Sequence, residues 1–211
     1  MSKLLDIPIE QVEELIKLLP ETNTPKIIPL HEELSSDVNF CFQNVKKQVN
    51  NFGGAQIFGW KIWKHSFMIE AEFHSIWRNT SNELIDITPQ ADNSKQILFV
   101  TDNKTKYDGK QIDNIRLRTI DNKLADDYIE LAKVKYSLLN KDERAKQNGL
   151  VQLEGKEAKV YSVINEMMVF INEMLKQNYT RNSQCFCGLN RKYKHCHGKD
   201  LLQNLKNFIN N

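Results

Sequence analysis

Near its C-terminal end the chain places two cysteines one residue apart, Cys185 and Cys187, and after eight further residues an adjacent cysteine and histidine, Cys196 and His197. No other feature of the 211 residues constrains the local fold as tightly. Thiolate and imidazole are the donor set of a tetrahedral Zn²⁺ site, and four ligands from one short segment force the backbone to wrap around a point. Gly188 and Asn190, inside the loop, are residue types that tolerate the positive φ such a wrap needs. His195 is a competing donor for the fourth position. Four protein ligands leave no open coordination site, so the expected cofactor is one structural Zn²⁺ per chain. A disulfide or three free thiols is the alternative, and a reducing compartment disfavours the disulfide.

The run from Cys185 through Phe186, Gly188, Tyr193 and His195 to His197 resembles the SEC-C motif, a small zinc knuckle found at the C-terminus of bacterial secretion motors and of many otherwise unrelated proteins. The usual glycine-serine-glycine run is replaced here by Gly188, Leu189 and Asn190, with every ligand intact. The resemblance implies an element that docks proteins or contacts ribosomes and other nucleic acid. Charge agrees with this: residues 178–211 hold six Lys or Arg against Asp200 alone, while the whole chain carries only +2. The basic end therefore suits an acidic protein or nucleic-acid partner. A solvated basic face that only aids solubility would look the same.

The remaining length suits one domain with a real core, and the composition, 40% hydrophobic and 27% charged, is that of a globular chain. No apolar run approaches a membrane span, and Asp6, Pro8 and Glu10 interrupt the first ten residues where a secretory signal needs a continuous apolar stretch. The expected location is the cytoplasm, with no membrane partner; the sequence does not set an oligomeric state.

Residues 9–19 carry Ile9, Val12, Leu15, Ile16 and Leu19 at helical spacing after Pro8, and Pro20, Pro25 and Pro29 then impose extended chain. A second helix is expected from an N-cap at Ser35, Ser36 or Asp37 to Phe52, ended by Gly53-Gly54, with Val38, Phe42, Val45 and Val49 inward and Cys41 near its first turn. Short β-prone runs at 56–64, 67–77, 83–88 and 97–100 predict an antiparallel meander, followed by a brief strand at 115–119. Helical patterns then cover 121–146 and 155–177; the apolar, methionine-rich face of 160–175 either packs on the domain or forms a dimer seam. The expected organisation is an α+β domain over 1–120, a helical extension over 121–178 and the knuckle over 179–211.

With three cysteines assigned to metal, Cys41 is left at the start of a helix, where the backbone dipole favours a thiolate. His74 lies in the strand Glu70-Ala71-Glu72-Phe73-His74 and Asp86 in the following one, Leu84-Ile85-Asp86-Ile87-Thr88-Pro89. An imidazole and a carboxylate on neighbouring strands can pair, so that Asp86 orients His74 and His74 activates Cys41. The bland reading is that Cys41 is a small buried hydrophobe.

The order of nucleophile on a helix, histidine on one strand and aspartate on the next resembles the transglutaminase-like superfamily of papain-like cysteine enzymes over residues 35–90. Gly53-Gly54-Ala55, Gly59-Trp60, His74 with Trp77, and Asp86-Ile87-Thr88-Pro89 carry the likeness. It implies a papain/transglutaminase-like core, a helix packed on an antiparallel sheet, with catalytic Cys41, His74 and Asp86. The implied activity is that of a cysteine-dependent amidohydrolase or acyltransferase acting on a protein or peptide amide, a Gln carboxamide being one candidate, through a thioester. The Cys41 backbone N–H and the Asn39 side chain are candidate oxyanion donors.

Glu70 and Glu72 share strand parity with His74, and Ile69, Ala71 and Phe73 face the other way. The two glutamates either select a basic substrate, raise the His74 pKa or form a solvated face. Trp60, Trp63 and Trp77 either wall the site or belong to the core. The competing function is a catalytically silent zinc-binding adaptor that works through its basic end. A metal bound by Cys41 and His74 is less well supported, because no further ligand pair has suitable spacing.

Overall fold

In a computed structural model, residues 7–31, 36–90, 94–147 and 149–210 are described, and they divide into two units. The first comprises residues 1–108 and 112–117, the second 109–111 and 118–211. Of the expected features, Ser35 and residues 1–6 lie outside the described residues.

In the first unit, helix α1 (Ile9–Ile16) starts after Pro8 and buries Val12, Leu15 and Ile16. It stops short of Leu19, which is nonetheless buried, while Ile9 is exposed. The proline-framed segment that follows does more than extend: Lys26–Pro29 is strand β1, paired antiparallel with the later strand β5 (Gln96–Thr101). Pro29 sits at the strand's end, where a missing N–H is tolerated.

Helix α2 (Cys41–Phe52) begins several residues later than its expected caps. Asn39, with φ 67°, interrupts the backbone, and Asp37 is instead tied to the Asn44 side chain in both directions, at 3.2 and 2.8 Å. Val45 is inward as expected, and Phe42 packs against the core. Cys41, Asn44, Val45 and Gln48 are buried, whereas Val38 is 45% exposed. Gly53, with φ 75°, ends the helix.

Strands β2 (Ala55–Lys64) and β3 (Met68–Arg78) form a long hairpin that pairs Gly59 with His74 and Lys61 with Glu72. Strand β4 (Leu84–Ile85) pairs with the end of β3, and β6 (Ile115–Arg118) also pairs with β3. The sheet is antiparallel but not a simple meander. Its order is β1-β5-β2-β3-β4, because β5 returns to the far side of β2. The path then closes: Asp86 N–H donates to the Pro29 carbonyl at 3.0 Å and the Asp86 carbonyl accepts from His31 N–H at 2.9 Å.

Both faces of the central strands are therefore buried. Trp60, Ile62, Ile69, Ala71, Phe73 and Val100 pack with α1, and Ile28, Ile76, Ile97 and Phe99 fill the opposite face. Gly59 sits where β5 crosses closest; a Cβ there would lie 2.2 Å from the Val100 carbonyl oxygen and 2.5 Å from the Phe99 ring.

In the second unit, α3 (Lys123–Leu139), capped by Asn122 accepting from Leu124 N–H, packs along α4 (Gly155–Lys176). Leu124, Leu131 and Leu138 of α3 are buried, as are Ile164, Met167, Ile171 and Met174 of α4, so the methionine-rich face of α4 is core. A further helix, α5 (His197–Asn210), follows the cysteine-rich segment. No helix among the described residues is long and apolar enough to cross a membrane.

Substituting Gly59 by alanine forces β2 off β5 and is expected to destabilise the first unit by about 1–3 kcal/mol, read as a lowered urea midpoint with an unchanged slope.

Candidate functional site

The later start of α2 places Cys41 at its first residue, 7% exposed. Helix starts leave backbone N–H groups without intrahelical partners and carry partial positive charge. His74, 2% exposed, and Asp86, fully buried, come together in the same unit, with His74 Nε2 donating to Asp86 Oδ2 at 3.1 Å. The β3–β4 ladder pairs Trp77 with Ile85, so Asp86 lies just past its end and reaches along β3 to His74 instead of standing opposite it.

Cys41 and His74 both line a cleft of about 90 Å³, with Val38, Asn39, Lys61, Trp63, Glu72, Thr88, Pro89 and Gln90 completing its wall. Burial pulls the His74 imidazole toward its neutral form. The interaction with the neighbouring Cys41, and the charge of and hydrogen bond to Asp86, outweigh it, and the ring's pKa rises to about 10. The three residues predicted from sequence are thus brought to one place.

The carboxylate of Asp86 is held from several sides. Thr88 N–H donates to Oδ1 at 3.0 Å, and Gln90 Nε2 approaches Oδ2 at 3.3 Å while also donating to the Thr88 carbonyl at 2.8 Å. Lys61, 4% exposed, donates to Gln90 Oε1 at 2.8 Å, and Asn44 Nδ2 reaches Thr88 Oγ1 at 3.4 Å. Sequence reading missed Lys61, Gln90 and Asn44. A lysine at the parity of His74 inside the apolar run Ile57–Trp63 was the available signal for the first; nothing local marks Gln90.

Glu70 and Glu72 do not form a solvated face. Glu70 is bound by Arg116 Nε at 2.7 Å, Asn114 at 2.9 Å and His65 at 3.0 Å. Glu72 accepts from Trp63 Nε1 at 2.8 Å and pairs with Lys61 at 3.2 Å. The three tryptophans divide: Trp60 is core, its indole N–H bound to Asp102 at 2.8 Å, Trp63 lines the cleft, and Trp77 donates to the Gly53 carbonyl.

In the second unit Cys185, Cys187, Cys196 and His197 converge, their ligand atoms all within 4.8 Å of one another. His197 Nδ1 lies 3.3 Å from Cys185 Sγ and 3.5 Å from Cys196 Sγ, and the Cys187 and Cys196 sulfurs are 3.5 Å apart. Metal–sulfur and metal–nitrogen bonds of about 2.3 and 2.0 Å give tetrahedral edges of roughly 3.5–3.8 Å, close to these separations. His195 is exposed and lies outside this cluster.

The loop closes through Cys185 N–H to the Arg191 carbonyl at 2.8 Å, with Gly188 and Asn190 at φ 76° and 50°. It is seated on the helices: Phe186 stacks on Phe170 of α4 with centroids 4.1 Å apart, and Arg181 pairs with Asp127 of α3 at 3.2 Å. Gly198 makes room for the buried Tyr193 ring, which would stand 2.3 Å from a Cβ.

These features define a metal-binding knuckle carried on a helical unit. Residues 181–199 match the SEC-C motif. No curated protein and no solved structure shows significant similarity to the chain.

Because the folded-state pKa of His74 lies above the free-imidazole value, its charged form stabilises the fold fully below about pH 6.5, and this contribution is lost as pH rises through about 10. The stability difference between wild type and His74→Gln should therefore shrink steadily from pH 6.5 to 10, as followed by urea denaturation.

Proposed function

We propose that the chain is a cysteine-dependent amidohydrolase or acyltransferase in which Cys41 is the nucleophile, His74 the general base and acid, and Asp86 the group that orients His74. The observation that carries this reading is the buried Asp86–His74 hydrogen bond beside a cysteine at a helix start, with Cys41 and His74 both lining one cleft. The chain order of the three residues, like that of transglutaminase-like and papain-like enzymes, supports it.

In the proposed reaction the Cys41 thiolate attacks an amide carbonyl carbon of a protein or peptide, such as a Gln carboxamide. The C–N bond breaks as His74 gives its proton to the departing ammonia or amine, leaving a thioester. His74 then takes a proton from water or an acceptor amine, which attacks the thioester and returns Cys41 as thiolate. The intermediate oxyanion would be met by the Cys41 backbone N–H and by Asn39, which lines the cleft in a left-handed conformation. Loss of one such donor typically costs about 3 kcal/mol of barrier.

The knuckle, in the same proposal, holds one structural Zn²⁺ through Cys185, Cys187, Cys196 and His197, and works in a cytoplasmic, reducing setting. Its exposed Arg191, Lys192 and Lys194 offer an acidic protein or nucleic acid a docking face.

Limiting iodoacetamide at neutral pH should modify Cys41 first, and His74→Gln or Asp86→Asn should slow that modification by about tenfold or more while circular dichroism stays unchanged. An inert Cys41 in the native protein would sink the proposal. Elemental analysis should find about one zinc per chain, falling to near zero in Cys196→Ser.

A further inference from the structure

The cleft beside Cys41 holds a charge that the triad does not use. Glu72 precedes His74 by two residues on β3, lines the cleft, and has a side chain 36% exposed. Its Oε2 accepts from Trp63 Nε1 and from Lys61, while its Oε1 accepts no protein donor among the described residues. One carboxylate oxygen is thus fixed in place and the other is left for a ligand.

Lys61, which also lines the cleft, pairs with Glu72 and offsets its charge, but through one carboxylate oxygen only. Its ammonium is buried and spent three times over, on Glu72 at 3.2 Å, on Gln90 Oε1 at 2.8 Å and on the Trp63 ring at 3.9 Å. On the reading of Cys41 as thiolate and His74 as imidazolium that pair is neutral, Glu72 and Lys61 balance each other, and Asp86 behind His74 leaves one net negative charge. The groups facing the cleft therefore favour positive charge, and Val38 and Pro89 supply apolar wall for an aliphatic stem.

We infer that Glu72 is the specificity-determining residue of this cleft, and that the substrate presents a cationic side chain of the lysine or arginine type beside its scissile amide. The inference rests on the reading of Cys41 as the nucleophile.

Charged methanethiosulfonates test it directly, since thiolate attack on the reagent's sulfur forms a disulfide and releases methanesulfinate whatever the reagent's charge. Rates at Cys41, mapped by peptide mass and normalised to a free thiol such as 2-mercaptoethanol, are compared for the trimethylammonium-ethyl and sulfonato-ethyl reagents. The cationic reagent should be favoured by about tenfold at low ionic strength, and raising the salt should compress that ratio.

Glu72→Gln, which keeps an acceptor for Lys61 and Trp63, should lower the ratio by about the same factor, and Glu72→Asp should restore part of it. A wild-type ratio of one or less overturns the inference, as does an unchanged ratio in folded Glu72→Gln; should that variant not fold, the wild-type ratio and its salt dependence decide. Failure of the nucleophile reading looks different: the uncharged methyl reagent would then react at the same rate with wild type and with His74→Gln.

Discussion

The first unit depends on what surrounds Asp86. Its backbone joins the two ends of the strand path, N–H to Pro29 and carbonyl to His31, and its side chain is fully buried. A carboxylate removed from water is costly unless donors surround it, and here Thr88, Gln90 and His74 supply them. Closing the sheet and orienting the imidazole are therefore one structural event. A strand path that failed to close would leave the carboxylate to water and His74 without a partner.

The same coupling explains why so many polar side chains are buried on that side. Lys61, Gln90, Thr88 and Asn44 form a continuous set of hydrogen bonds from β2 to the first turns of α2. A half-satisfied set would cost more than an apolar one, so its members are held by each other as much as by the core. Within the second unit the metal knuckle is likewise more than a terminal attachment. Phe186 on Phe170 and Arg181 on Asp127 seat it on α3 and α4, and burial raises the Asp127 carboxyl to about 6 against the opposing charge of Arg181.

Much of this was legible in the sequence because it is local. The ligand spacing at Cys185, Cys187, Cys196 and His197 marked the knuckle, β-prone runs marked β2 and β3, and apolar periodicity marked α1, α3 and α4. The signal at Cys41, His74 and Asp86 was residue type in a plausible order, and their meeting depends on long-range closure. What stayed hidden is non-local. The segment Lys26–Pro29 reads as proline-rich connection, yet it finds β5 some seventy residues later. The position of β5 beside β2, which makes Gly59 indispensable, has no local signature. The start of α2 lies later than its pattern suggests because Asn39 takes a left-handed turn that a helical pattern does not reveal, and Val38 is left outside the helix and exposed.

The central proposal is that Cys41 and His74, the latter oriented by Asp86, form an ion pair poised for nucleophilic attack. The most direct measurement is the imidazole nitrogen spectrum of His74 at about pH 8.5, by long-range ¹H–¹⁵N NMR on the intact protein. Two protonated ring nitrogens there, well above the range in which an ordinary histidine is charged, are the predicted result, and the charged form should give way at a lower pH in Cys41→Ala. A neutral ring with a single N–H at that pH would contradict the account.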